Sequence, residues 1–335
     1  MGTSKRRVAV IGCGGTISTE ATDPFDFIEY PETGRKLQIE EVLAVLPEPA
    51  QDLADYVPVP FRAVGSSAIG PAEWRDLVVI IEGLAETQPD LAGVVVVHGT
   101  ASLEETAYFL HLALNVDVPV ALVGAQRPLN TVGTDATVNF VSAVRTVLSP
   151  EAAGKGVMVV LNDEIHCARD VTKSSTYRLH AFQSAGTGPI GVVDADAVHF
   201  YRAPVRAHTT ASPFGVDAGT EFPRIDISYA YAGSDSTAAR AFVAAGARGI
   251  VSAGFAPGMP APLERRFLEE CAAQGVVIVQ ASRVGSGRIA PRGYLKDKGW
   301  VAADDLTPQK ARILLMLAMV AGHKPEALQG DFERY

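Results

Sequence analysis

The chain has 335 residues, 47 % of them hydrophobic and 20 % charged, with a formal net charge of −9. That length exceeds one ordinary core, so two domains are expected. The acidic balance, with no long basic run, argues against nucleic acid or an anionic membrane as partner.

Lys5-Arg6-Arg7 reads as a solvated lead-in to a buried strand at residues 8–11. Gly12 stops that apolar run well short of a signal-peptide core, and no segment reaches the roughly 18 residues of a membrane span. The three cysteines, Cys13, Cys167 and Cys271, fit neither a zinc site nor a disulfide framework by spacing. A cytoplasmic protein is expected.

The first strand ends in GCGGTIST, residues 12–19. A dinucleotide site would need a third glycine where Ile17 stands, followed directly by a helix. The next stretch, TEATDPFDFIEYPETG, is polar and broken by proline, so no nucleotide cofactor is expected. The glycines instead bring the backbone close to a neighbour and hold Thr16 at a strand end. Cys13 reads as a small buried side chain.

Helical patterns at 71–84, 103–114 and 134–148 then alternate with β-branched runs at 94–97, 118–123 and 157–161. This alternation predicts an α/β fold, a parallel sheet with helices on both faces, whose ligands gather beyond the carboxyl ends of the strands. The valine run at 94–97 ends in His98-Gly99-Thr100, and a further polar segment, NDEIHCARDVTKSSTYR, follows the strand at 157–161. Lys173 lies there among Thr172, Ser174 and Ser175, with Asp163, Arg169 and Asp170 expected to shape the loop. A threonine hydroxyl becomes a nucleophile when a neighbour takes its proton, and a desolvated lysine can do so. His98 reads as a strand-end hydrogen bonder. Glu104 and Glu105 read as first-turn carboxylates complementing a helix dipole, with Ser102 as cap.

Regularity lapses over 203–223, APVRAHTTASPFGVDAGTEFP. The boundary is placed there, giving an N-terminal domain at 1–205, a linker at 206–222 and a C-terminal domain at 223–335. Strands at 225–229, 249–252 and 276–280 alternate with helices at 236–245 and 262–273. A last helix opens at Thr307-Pro308, a cap residue before proline.

In order along nearly the whole chain, GGTI, HGTxxxEETAYFL, NDxxxxxRDVTK, GPIG, GIVSAG, SRVGSG and LTPQKARILLMLAM closely resemble the bacterial L-asparaginase/glutaminase family. The resemblance implies a larger N-terminal and a smaller C-terminal α/β domain. It also implies a homotetramer, a dimer of dimers, whose sites are shared between subunits. Thr16 matches the family's nucleophile, Tyr30 the tyrosine that assists it, Thr100 the second catalytic threonine and Lys173 its lysine partner. The resemblance also implies that Gly15 and Gly99 are among the substrate-binding residues. The implied reaction is hydrolysis of a small-molecule amide through an acyl-enzyme, with backbone N–H groups at the oxyanion and no metal or organic cofactor.

Departures from the family cluster at the positions that grip a substrate's amino-acid end. Ser66 keeps the serine that binds the α-carboxylate. Ser67 stands where glutamine is usual, and Ala101 where an aspartate holds the α-ammonium and supports the threonine–lysine pair. Met259 replaces the asparagine of type II enzymes, and Tyr294 the glutamate that reaches in from a neighbouring subunit. Loss of this set implies a substrate without a free α-ammonium. It also predicts a lowered Lys173 pKa, with burial disfavouring the ammonium and no anion to offset it.

Overall fold

The computed structural model describes residues 5–335. Residues 1–4, part of the stretch weighed as a leader, lie outside the described residues. The chain divides into two compact units, residues 1–205 with 209–211, and residues 206–208 with 212–335.

The first unit is built on an eight-stranded sheet. Five strands are mutually parallel, in the spatial order Asp55–Val64, Arg7–Gly14, Leu91–Val97, Val120–Val123 and Val157–Leu161. Three further strands, Glu164–Cys167, Gly191–Val193 and Val198–Phe200, extend the sheet in antiparallel fashion. The valines from Val94 to Val97 are all buried because helices cover both faces. Helix Ala136–Leu148 packs Phe140, Ala143, Val144 and Val147 into a core with Val8, Val10, Val95 and Val97. Helices Pro71–Thr87 and Leu103–Ala113 pack together, with the Trp74 and Phe109 rings tilted against each other at a centroid distance of 5.2 Å.

Strand Asp55–Val64 carries Pro58 and Pro60, neither of which can donate to a ladder. Its place at the sheet edge accommodates both. The turn after Val157–Leu161 is equally local in origin. Asn162 and Asp163 have φ of 52° and 60°, the left-handed pair that a tight hairpin needs. The chain therefore folds straight back into Glu164–Cys167.

The basic lead-in is dispersed as a solvated strand start should be. Lys5 pairs with Asp52 at 2.6 Å, and Arg7 with Asp90 at 3.2 Å.

The second unit carries a four-stranded, wholly parallel sheet in the order Ile225–Tyr229, Gly249–Gly254, Val277–Ser282 and Val301–Ala302. Ile250, Leu268, Cys271, Ile278, Leu295 and Trp300 belong to its core. Helix Pro308–Val320 is apolar on nearly every side and buried to match. Among the described residues, no helix is long and apolar enough to cross a membrane.

Candidate active site

The parallel strands explain where the first unit can bind a ligand. Arg7–Gly14 continues to Asp55–Val64 on one side of itself, while the next strand in the chain, Leu91–Val97, pairs on its other side. In an open α/β sheet, this reversal opens a crevice at the carboxyl ends of the two strands. Those ends are Gly14-Gly15-Thr16 and His98-Gly99-Thr100.

The two ends touch through their glycines. A Cβ on Gly15 would lie 2.1 Å from Gly99 Cα, and Gly15 has φ of 87°. No L side chain fits there. Thr16 and Thr100, each following one of these glycines, are thus brought to one crevice. The Gly15 N–H is donated to the Val64 carbonyl at 3.0 Å, so its contribution is close approach rather than a free donor.

Thr16 Oγ1 lies 3.0 Å from Tyr30 Oη, with either hydroxyl able to donate. Tyr30 begins a four-residue helix, Tyr30–Thr33, at the end of the loop that leaves the first strand. That loop is fastened by a reciprocal pair: the Ala21 N–H donates to Asn130 Oδ1 and Asn130 Nδ2 donates to the Ala21 carbonyl, both at 2.8 Å. Burial pushes the Tyr30 phenol up, and the bond from Thr16 opposes this only partly. Tyr30 is therefore a neutral hydroxyl near neutral pH.

The second constellation centres on Lys173 Nζ, 2.7 Å from Thr100 Oγ1. Lys173 does not sit directly past strand Val157–Leu161, as its place in the sequence suggests. The hairpin at Asn162-Asp163 intervenes, and the lysine lies on its own short strand, Thr172–Lys173, paired with Phe182–Gln183. Burial is the leading cause that lowers its pKa. Here the expectation of no offsetting anion is corrected, because the Glu104 carboxylate acts in the opposite direction. Glu104 Oε2 also accepts the Lys173 backbone N–H at 2.7 Å, a role beyond dipole matching.

Ser102 does not cap its helix with its side chain. Its hydroxyl donates to the Ser66 carbonyl at 2.6 Å. Ser66 Oγ accepts the Ala101 N–H at 3.1 Å, which leaves the serine's own proton available. Ala101 and Ser67 are exposed.

His98 is neutral and structural. Burial pushes its pKa down to about 4. Its Nδ1 lies 2.8 Å from the Gly99 carbonyl and its Nε2 3.0 Å from Thr106 Oγ1. Trp74 Nε1 donates to the same threonine at 2.9 Å.

Gln126 escaped the sequence reading. Its Oε1 is 3.3 Å from both Thr100 Oγ1 and Lys173 Nζ. It stands just past strand Val120–Val123, the same strand-end signal that singles out Thr16 and Thr100.

Met259 and Tyr294 belong to the second unit. Met259 is exposed in a turn bridged to Phe255. The Tyr294 hydroxyl donates to Glu269 Oε1 at 3.1 Å, its ring packs edge-on to Trp300 with centroids 5.8 Å apart, and Arg265 lies over it at 5.0 Å. Among the described residues, no group of three or more His, Cys, Asp or Glu is placed to hold a metal ion.

Residues 7–206 match the family profile described as asparaginase, N-terminal, and residues 224–332 that of the glutaminase/asparaginase C-terminal domain. The chain belongs to the asparaginase family. It is therefore an amidohydrolase, acting on C–N bonds other than peptide bonds. L-asparaginase 2 of Bacillus subtilis is 36% identical over 98% of this chain and 86% of its own length. A glutaminase-asparaginase of Pseudomonas fluorescens biotype A is 35% identical over 99% and 91%. The solved structure of a probable cytoplasmic L-asparaginase from Campylobacter jejuni shares 37% identity and a TM-score of 0.93, covering 99% of this chain and 100% of that one.

Proposed function

We propose that the protein hydrolyses a linear or cyclic amide lacking a free α-ammonium, using Thr16 as nucleophile. Ala101, the residue after Thr100 of the Thr100–Lys173 pair, carries this reading, because the family resemblance implies a carboxylate at that position. A desolvated ammonium without an anionic partner costs several kcal/mol. Ser67, Met259 and Tyr294 remove further groups that would serve that ammonium, while Ser66 keeps a proton for a carboxylate or carbonyl oxygen.

In this mechanism Thr16 Oγ1 attacks the amide carbon, and the amine leaves as the C–N bond breaks. Tyr30, a neutral phenol, relays the Thr16 proton toward the departing nitrogen. Lys173, through Thr100, takes a proton from the water that attacks the acyl carbon, and that proton is returned through solvent and Tyr30 to Thr16 Oγ1 as the acyl–oxygen bond breaks. A proton-transfer pair of this kind is worth about 10²- to 10⁴-fold.

A second reading is an L-asparaginase of altered specificity, favoured by the names its relatives carry. Carboxylic acid formed from L-asparagine and from des-amino, N-acylated and cyclic amides, read by mass spectrometry of the products, separates the two, with Thr16→Ala as the control. Turnover of the amides without an ammonium, abolished in Thr16→Ala, is expected. Preference for L-asparagine contradicts the first reading, and undiminished activity in Thr16→Ala contradicts the nucleophile. A cytoplasmic setting and a tetramer with shared sites complete the proposal. Sedimentation of the purified protein tests the latter, and a monomer at assay concentration contradicts it.

A further inference from the structure

We propose that Gln126 is a positioning residue which orients the Thr100–Lys173 pair through a neutral acceptor, in a site that has no aspartate at position 101. The inference rests on the reading of that pair as the proton-transfer element.

The geometry is a triangle. Thr100 Oγ1 and Lys173 Nζ are 2.7 Å apart, and Gln126 Oε1 is 3.3 Å from each. An amide oxygen has two acceptor sites, one for each partner. At that length each bond is weak alone, so the effect depends on how firmly the oxygen is held. Gln126 Nε2 donates to the Arg178 carbonyl at 3.1 Å, which turns the oxygen toward the pair. Its backbone N–H meets the Asp135 carboxylate at 3.0 and 3.1 Å. Asp135 also takes the Arg127 N–H at 2.9 Å and Asn139 Nδ2 at 3.0 Å. Gln126 is thus fixed at both ends and nearly fully buried.

Charge distinguishes this arrangement from a carboxylate. An anion beside Lys173 would orient it and also favour the ammonium, which cannot accept a proton. An amide oxygen orients the amine and adds no charge. The charged groups around the lysine make that distinction count. Glu104, from helix Leu103–Ala113, already supplies one anion at its backbone. Asp135 lies behind Gln126, committed to backbone donors and to Asn139 Nδ2. On the lysine's own segment, Arg169 and Asp170 approach each other at 3.5 Å. The paired strand Phe182–Gln183 brings no charge.

Competitive acetylation of Lys173, read by peptide mass spectrometry from neutral to alkaline pH, tests the contact without any turnover. Gln126→Glu keeps the shape and adds an anion, so the midpoint of Lys173 labelling should rise by about one unit or more. Gln126→Met removes the acceptor. It should lower kcat by up to about 100-fold, without raising that midpoint. In an Ala101→Asp background, where a carboxylate can hold the pair, the same Gln126→Met change should cost much less. A midpoint unmoved in Gln126→Glu overturns the proposal, as does an equal kcat loss for Gln126→Met in both backgrounds. The labelling arm is independent of substrate, so failure of the substrate reading shows in a different measurement.

Discussion

The backbone N–H of Lys173 donates to Glu104 Oε2 at 2.7 Å, so the helix that starts just past Thr100 holds the short strand that carries the lysine. The same carboxylate favours the lysine's ammonium, against the burial that lowers its pKa. One residue therefore acts on both the lysine's position and its charge.

Removing that charge while keeping an acceptor gives the first prediction. The neutral amine is the working form, so activity appears as pH rises through the Lys173 pKa. In Glu104→Gln the opposing anion is gone and the pKa falls further. The acidic limb of kcat should move to lower pH. A pH–rate profile checks this, and a limb that moves upward contradicts it.

Lys173→Ala should fold normally and lose about 10²- to 10⁴-fold in kcat. Circular dichroism with steady-state kinetics checks both halves. Wild-type activity in this variant would take the lysine out of the mechanism.

Gly15→Ala tests the close approach of the two strand ends. Its new Cβ would lie 2.1 Å from Gly99 Cα at a φ of 87°, where backbone must shift. Overpacking and strain together should cost upwards of about 2 kcal/mol in denaturant unfolding. An unchanged midpoint would show that the strand ends are not in contact.

His98 makes stability depend on pH. Its pKa falls from 6.5 to about 4 on folding, so the unfolded chain binds the extra proton between these values. The contribution is complete above pH 6.5 and lost as pH drops toward 4. It amounts to something on the order of 3 kcal/mol. Unfolding free energy across that range, compared with His98→Asn, checks the sign. A His98→Asn variant that is equally acid-sensitive contradicts it.

Much of the fold is legible in the chain because the buried parallel strands are continuous β-branched runs, as at Val94–Val97, and the helices between them are amphipathic. Strand Asp55–Val64 is harder to see, since its prolines argue against a strand unless its edge position is known. The hairpin at Asn162-Asp163 is written in the residues, yet it moves Lys173 off the strand end that linear reading gives it. At the site, short motifs mark Thr16, Thr100 and Lys173. Gln126 and Glu104 meet the lysine only through tertiary folding, from 47 and 69 residues away in the chain.

Ala101→Asp should restore a grip on ammonium-bearing substrates. The ratio of kcat/KM for L-asparagine to that for its des-amino analogue should rise about tenfold or more. An unchanged ratio would mean that position 101 does not face the substrate's amino group.

The most direct measurement is that same ratio in the unmodified enzyme, with both amides at equal concentration in one competition assay. The des-amino amide should be consumed first, because nothing at Ala101 compensates a buried positive charge. Preferential consumption of L-asparagine would contradict the account.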